Sequence, residues 1–173
     1  FSRGKIEGSP TVVCRFKTKT GAWRWIESTF TGLKTEDDVK GMVVNFHDIT
    51  DRKQAEDALR ESQALFRSLV ESMPQNVYSK DLEGRFAFAN RHYCAMEDKT
   101  LEEIIGKTDF DLHPPDLAEQ YRADDRHVIE AEQVLEREEI HQPLGGEKFY
   151  VQVVKAPIYD AVGEVKGTLG IFW

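Results

Sequence analysis

Lys19-Thr20-Gly21-Ala22-Trp23-Arg24-Trp25-Ile26-Glu27-Ser28, near the start of the chain, is matched further on by Leu144-Gly145-Gly146-Glu147-Lys148-Phe149-Tyr150-Val151-Gln152-Val153. A turn glycine aligns with a turn glycine (Gly21 and Gly146) and an aromatic with an aromatic (Trp25 and Tyr150), at an offset of 125. Val39-Lys40-Gly41 then matches Val165-Lys166-Gly167 at an offset of 126, one residue having entered the intervening loop. A short β-rich run follows each glycine, Met42 to His47 and Thr168 to Trp173. A repeat of this length has the size of a domain rather than of a solenoid unit. The first copy is represented by its C-terminal part, residues 1–49, and the second stops at Trp173, the counterpart of His47. The expectation is a stretch of a longer protein whose output activity lies outside these residues.

Outward from the repeat, Thr11 to Lys17, Trp23 to Leu33 and Gly41 to Asp48 read as three antiparallel strands, rich in aromatic and β-branched residues between turn signals. Gly21 stands where the first turn tolerates a positive φ. Residues 50–72 differ in kind. From Asp51 to Ser68 there is no Gly, Pro or β-branched residue, and good helix formers dominate. Asp51 with Gln54 fits a capping box, with Thr50 as the other candidate cap. Ala55, Leu59, Ser62, Phe66 and Leu69 recur at heptad-type spacing and form one narrow apolar stripe. Such a helix would span about 30 Å and end before Pro74.

Residues 73–173 read as a second, nearly complete unit. Asn76 to Lys80 and Arg85 to Asn90 form a hairpin around the turn Asp81-Leu82-Glu83-Gly84. Short helices are predicted over Arg91–Asp98 and Leu101–Ile105, and a longer one over Asp116–Glu132 behind Pro114-Pro115. Strands at Glu138–Gln142, Glu147–Ala156 and Gly167–Trp173 close the unit. Segregated strands and helices imply an α+β layer fold, helices covering one face of an antiparallel sheet.

Composition narrows the function classes. Of 173 residues 40% are apolar and 31% charged, with 23 Lys and Arg against 31 Asp and Glu for a net charge of -8. That balance argues against a nucleic-acid partner, which needs clustered cations. No apolar run is long enough for a membrane span, and no signal peptide is visible, so a cytoplasmic setting without membrane contact is expected. Two cysteines, Cys14 and Cys94, are too few for a disulfide scaffold or a cysteine metal site.

Several stretches resemble one known family, the PAS domains, sensor modules of bacterial signalling proteins. Asp48-Ile49-Thr50-Asp51-Arg52-Lys53 is similar to the Asp-Ile-Thr signature that ends a PAS core and opens its output helix. Lys80-Asp81-Leu82-Glu83-Gly84-Arg85-Phe86 with Asn90 resembles the first hairpin of a PAS core, and Gly106-Lys107-Thr108-Asp109-Phe110-Asp111 the turn after its small helices. Lys155-Ala156-Pro157-Ile158 with Gly167 resembles the connection between its last two strands. The resemblance covers essentially the whole chain. It implies a five-stranded antiparallel sheet in the order 2-1-5-4-3, cradling a pocket under its helices. It also makes residues 50–72 a signalling linker helix, with Asp48 and Thr50 as the junction from sheet to helix.

Candidate chemistry is sparse. Gly145-Gly146-Glu147-Lys148-Phe149 is similar to the Gly-Gly-Asp/Glu-Glu-Phe loop of diguanylate cyclases, but Lys148 stands at its acidic fourth position, and the repeat explains the stretch as a hairpin turn. His47, His92, His113, His127 and His141 show neither helical i, i+4 pairing nor metal-ligand spacing with cysteine, and no metal site is expected. In heme PAS domains the resemblance would put the iron-ligating histidine at Asp125, with His127 turned away on the same helix. Cys94 lies outside any flavin-type Asn-Cys-Arg-Phe-Leu-Gln stretch and reads as a small buried hydrophobe. Asp124-Asp125 and Glu138-Glu139 read as solvated carboxylates, and no nucleophile–base set is visible.

The reading is a non-catalytic sensory and relay module that takes a small ligand or a partner and signals to an output domain of the same polypeptide. Family position nominates Asn90, Tyr93, Tyr121, His127 and Phe172 as ligand-pocket residues. Ala55, Leu59, Ser62, Phe66 and Leu69 form the expected seam of a homodimer. No cofactor is expected; a heme- or flavin-bearing sensor and a purely structural dimerisation module are the alternatives.

Overall fold

The computed structural model describes residues 9–34 and 40–173. The chain divides into two compact units, residues 1–65 and 66–173. In the first, β1 (Thr11–Lys17), β2 (Trp23–Lys34) and β3 (Lys40–Asp48) form an antiparallel meander in the order β1-β2-β3. Phe16, Trp23, Met42 and Phe46 remain exposed, and the Arg15 guanidinium lies over the rings of Trp23 and Trp25 at 5.6 and 5.5 Å.

A 23-residue helix, α1 (Thr50–Ser72), begins in the first unit and ends in the second. Its start is not held by the expected Asp51–Gln54 box. Asp48 Oδ1 accepts from the Thr50 amide (2.9 Å), while the Thr50 hydroxyl accepts from the Trp25 amide of β2 (2.9 Å). The Thr50 side chain is thereby occupied on the sheet, and Asp48 takes one of the orphan amides of the first turn. Arg52 reaches back to Glu27 at 3.2 Å. The stripe residues Leu59, Phe66 and Leu69 are 60%, 63% and 53% exposed, and Ala55 and Ser62 are exposed as well.

In the second unit the hairpin β4 (Asn76–Asp81) and β5 (Phe86–Ala89) leads into α2 (Arg91–Met96), α3 (Leu101–Ile104), α4 (Asp109–Leu112) and α5 (Pro115–Ala131). Then come β6 (Leu135–His141), β7 (Phe149–Tyr159) and β8 (Val165–Phe172). The sheet is antiparallel in the order β5-β4-β8-β7-β6, which is 2-1-5-4-3 within the unit. Helix α4 lies where only a turn was expected. Four residues carry too little periodicity to read, but Thr108 and Asp111 close a capping box around it.

The repeat is visible in the register of the ladders. Ser28 pairs with Phe46 and Val153 with Phe172, and Trp25 pairs with Arg15 as Tyr150 does with Ile140. The turn glycines differ, however. Positive φ falls at Gly21 (+91°) and at Gly145 (+79°), not at Gly146. The β6–β7 connection is the longer one, so its tight bend sits one residue earlier than the alignment places it.

Candidate functional site

The inward face of the second sheet is built by strand alternation. Tyr78 and Lys80 of β4, Glu139 and His141 of β6, Val151, Val153 and Lys155 of β7, and Thr168 and Phe172 of β8 are all buried. A Cβ on Gly170 would run into the Tyr78 ring, so the missing side chain at this β8 position is what admits the tyrosine. Helix α5 covers the sheet with Leu117, Ala118, Tyr121, Asp124, Asp125 and Val128, one buried helical stripe. Tyr78, Phe86, Tyr93 and Phe172 pack into an aromatic wall, the Tyr78 and Tyr93 centroids 5.3 Å apart.

Between wall and helices lies a cavity of about 10 Å³ lined by Tyr78, Phe86, Tyr93, Asp109, His113, Tyr121, Glu139, His141 and Phe172. That is room for about one water molecule. Neither a porphyrin nor an isoalloxazine ring fits this space as it stands. Asp125, which the resemblance would put at the heme-ligand position, accepts from Lys80 (2.8 Å).

Two charged groups flank the cavity. In the first, Lys80 Nζ donates to both oxygens of Asp109 (2.6 and 2.7 Å) and to Asp125 Oδ2, and Lys155 Nζ lies 3.4 Å from Asp125 Oδ1. Arg137 bonds Asp124 and lies 3.6 Å from Glu139. Burial pulls the Lys80 ammonium down, but Asp125 and Asp109 outweigh it and leave its pKa above the usual lysine value. Burial likewise pushes Asp125 up, and Lys80 and Lys155 reverse this and hold it below the usual carboxylate range. Glu139 goes the other way: burial raises it despite Lys155 and Arg137.

The second group is Glu97, His113 and His141. His141 Nε2 is 3.1 Å from Glu97 Oε1, and His113 Nδ1 is 3.0 Å from the Gln142 carbonyl oxygen. Burial lowers the His113 pKa, with His141 adding to the effect and Glu97 opposing it. The Tyr121 hydroxyl donates to the Ile140 carbonyl (2.7 Å), and burial raises its pKa and those of Tyr78 and Tyr93, so the phenols stay protonated.

Of the nominated pocket residues, Tyr93, Tyr121 and Phe172 line the cavity. Asn90 does not. It caps α2, and its amide serves backbone groups of Val70, Gln75, Val77 and Tyr93. His127 points to solvent on the far face of α5, away from Tyr121 and Asp125, and takes no part in the lining. The expectation of solvated carboxylates is corrected for Asp124, Asp125 and Glu139, which are buried among Lys80, Lys155 and Arg137. Cys94 is half-buried and packs against the aromatic cluster.

The charged lining was missed, although it left a signal. Lys80 and Lys155 occupy strand positions two residues from buried Tyr78 and Val153, and Asp125 interrupts an apolar stripe of Ala118, Tyr121 and Val128. A charged residue at an apolar phase either unfolds the element or meets a partner inside. Glu97, His113 and His141 carry no such signal, because α2, α4 and β6 bring them together from distant parts of the chain.

Comparison with known proteins agrees with this architecture. A family model described as PAS fold matches residues 70–173, and one described as PAS domain matches residues 6–51. The C4-dicarboxylate transport sensor protein DctS of Rhodobacter capsulatus is 32% identical over 134 residues, 76% of this chain and 20% of its own length. The virulence sensor protein BvgS of Bordetella pertussis is 30% identical over 70% of this chain and 10% of its own. This chain therefore spans a fifth or less of the length of either relative. Among solved structures, VqmA of Vibrio cholerae in a ligand–DNA complex superposes with a TM-score of 0.56 at 28% identity, covering 61% of this chain and 48% of that one. No helix among the described residues is long and apolar enough to cross a membrane.

Proposed function

This chain belongs to the PAS domain family, and from that premise we propose that it is a non-catalytic sensory and relay module of a cytoplasmic signalling protein. The second core accepts a small polar ligand, and the change in its packing passes through α1 to an output domain of the same polypeptide. Residues 1–49 are the C-terminal part of a first core, 50–72 the linker, and 73–173 the second core. The observation that carries this reading is the lining of the cavity. Asp109, His113, Glu139 and His141 face it beside an otherwise aromatic wall. Asp109, His113 and His141 already have partners inside, but Glu139 Oε2 has no hydrogen-bond partner, and a buried polar atom left so is costly. The sensor proteins DctS and BvgS, and the ligand-bound state of VqmA, support the same direction.

The relay is supported by the attachments of α1. Its first turn is tied to β2 through Thr50, and its last turn to α2 through Asn90 and through Glu71, which accepts from the Arg91 amide (2.8 Å). The exposed stripe from Ala55 to Leu69 is the seam of a homodimer, in which two packings of a weak coiled coil give two states. A ligand shifts their populations only through its different affinity for each.

A second reading has its own support: a cavity of about 10 Å³ is nearly filled by the core itself, as a structural dimerisation module would require. One experiment separates them. The purified chain is studied by native mass spectrometry and then screened by thermal shift against small polar metabolites. The sensory reading expects a compound that raises Tm and loses its effect in Tyr93→Phe, which removes one hydroxyl from the lining. A library that moves neither protein leaves the structural module as the function.

A further inference from the structure

We propose that Glu97, His113 and His141 form a binding site for a divalent transition-metal ion of the Zn²⁺ class, whose remaining coordination position opens on the cavity. The proposal deepens, and rests on, the reading of that cavity as the sensory site. One donor atom from each of the three residues lies within 4.8 Å of the other two. Donors around a tetrahedral ion with bonds of 2.0–2.2 Å stand about 3.3 Å apart. The His141–Glu97 edge already measures 3.1 Å, and the His113–Glu97 edge 3.9 Å. Side-chain adjustments of less than about 1.5 Å therefore close the set.

The geometry of the cluster suits a cation. The Gln142 carbonyl can only accept, so His113 keeps a hydrogen on Nδ1 and turns Nε2 toward the Glu97 carboxylate. In addition, Glu97 Oε2 has no hydrogen-bond partner although its side chain is wholly buried, and no Lys or Arg among the described residues pairs with this carboxylate. The Nδ1–H to carbonyl bond is also the outer-shell arrangement that orients a metal-bound imidazole. Packing holds both rings in place: Phe172 stacks on His141 with centroids 4.8 Å apart, and Tyr121 meets His113 edge-on at 5.2 Å.

Two imidazoles and a carboxylate suit Zn²⁺, Co²⁺, Ni²⁺ or Fe²⁺ rather than the oxygen-seeking Ca²⁺ and Mg²⁺ or the thiolate-seeking Cu⁺. His113 and His141 line the cavity, and its volume matches one water or one small donor atom on the ion. The module would then sense either the ion itself or a small molecule that takes its open position.

The test uses the whole chain, stripped with a chelator and titrated with Zn²⁺ by calorimetry and with Co²⁺ by visible absorption. One ion per chain, with the d–d bands of a low-coordinate Co²⁺ site, is expected. Glu97→Gln and His141→Ala should weaken binding by more than about 100-fold, beyond the 10–100-fold that loss of an outer-shell partner costs. His47→Ala, His92→Ala and His127→Ala alter exposed histidines and should leave it unchanged. If the first two variants fail to fold by circular dichroism, the wild-type titration decides alone. Absence of stoichiometric binding, or binding lost with His127 or His92, overturns the site. Failure of the metal together with a Tyr93-dependent thermal shift by an organic compound removes this proposal and leaves the sensory reading standing. Metal bound with no effect on dimerisation keeps the site and counts against the relay.

Discussion

Replacing Lys80 by methionine removes the charge at the centre of the buried network while keeping most of the side-chain volume. Lys80 is 2% exposed, and its ammonium makes three hydrogen bonds to Asp109 and Asp125. The variant leaves two carboxylates in the core with Lys155 as the nearest remaining cation to Asp125, at 3.4 Å. Stranding a buried charge in this way costs about 3–5 kcal/mol, a large share of the stability of a small unit. For a unit of this size it would lower Tm by about 12 °C or more. Urea unfolding followed by far-UV circular dichroism, with amide exchange on β4 as a local probe, measures the loss. The double variant Lys80→Met/Asp109→Asn restores the charge balance and should regain at least half of it. The gap has a pH signature. Asp125 is held low in the native state, so its contribution is present above the unfolded carboxylate range and is lost as pH falls through its native value. Lys80 is held high, so its contribution is complete below the unfolded lysine range and fades only in strong alkali. The stranded carboxylates of the variant are raised by burial, so the gap should be flat above their range up to about pH 10 and close as they take up protons in acid. A loss below about 1 kcal/mol, or one that grows on acidification, would refute the reasoning.

Three other outcomes are expected. Glu139→Gln should stabilise the chain by about 1 kcal/mol at pH 7, read as a higher Tm. Burial raises the Glu139 pKa, so the native state holds its proton more tightly, and the advantage of glutamine should vanish below the carboxylate range. Thr50→Val strands the Trp25 amide at a cost of about 1–2 kcal/mol, and exchange of that amide should quicken before the rest of β2 changes. If α1 forms the proposed homodimer seam, the wild-type chain should sediment as a dimer and Leu59→Glu with Phe66→Glu, which places charge on the exposed stripe, as a monomer with helix content unchanged.

How much of this could be read beforehand depended on the range of the interactions. Helix α1 was legible end to end because its determinants are local: a run of helix formers, an apolar stripe and Pro74. The strand connections were legible where Gly21 and Gly84 mark bends that other residues resist, whereas the β6–β7 bend falls at Gly145, one residue before the Gly146 that the repeat aligns with Gly21. The site was legible only where family position pointed, at Tyr93, Tyr121 and Phe172. Asp125 looked solvated because its partner Lys80 lies 45 positions away, and charge alone does not say which side of a helix is wet. His113 and His141, 28 positions apart, meet only because the sheet brings the end of β6 beside the end of α4.

Asn90 carries a consequence of its own. Its carboxamide accepts from the amides of Val77 and Tyr93 and donates to the carbonyls of Val70 and Gln75, so one planar group gears the last turn of α1 to β4 and α2. An aspartate there would keep the two acceptor contacts and forfeit both donor ones. Tyr93 stands three residues along from that contact with its ring at the cavity, so under the proposed relay a push on the ring would reach Asn90 and the end of α1 through the single short helix α2.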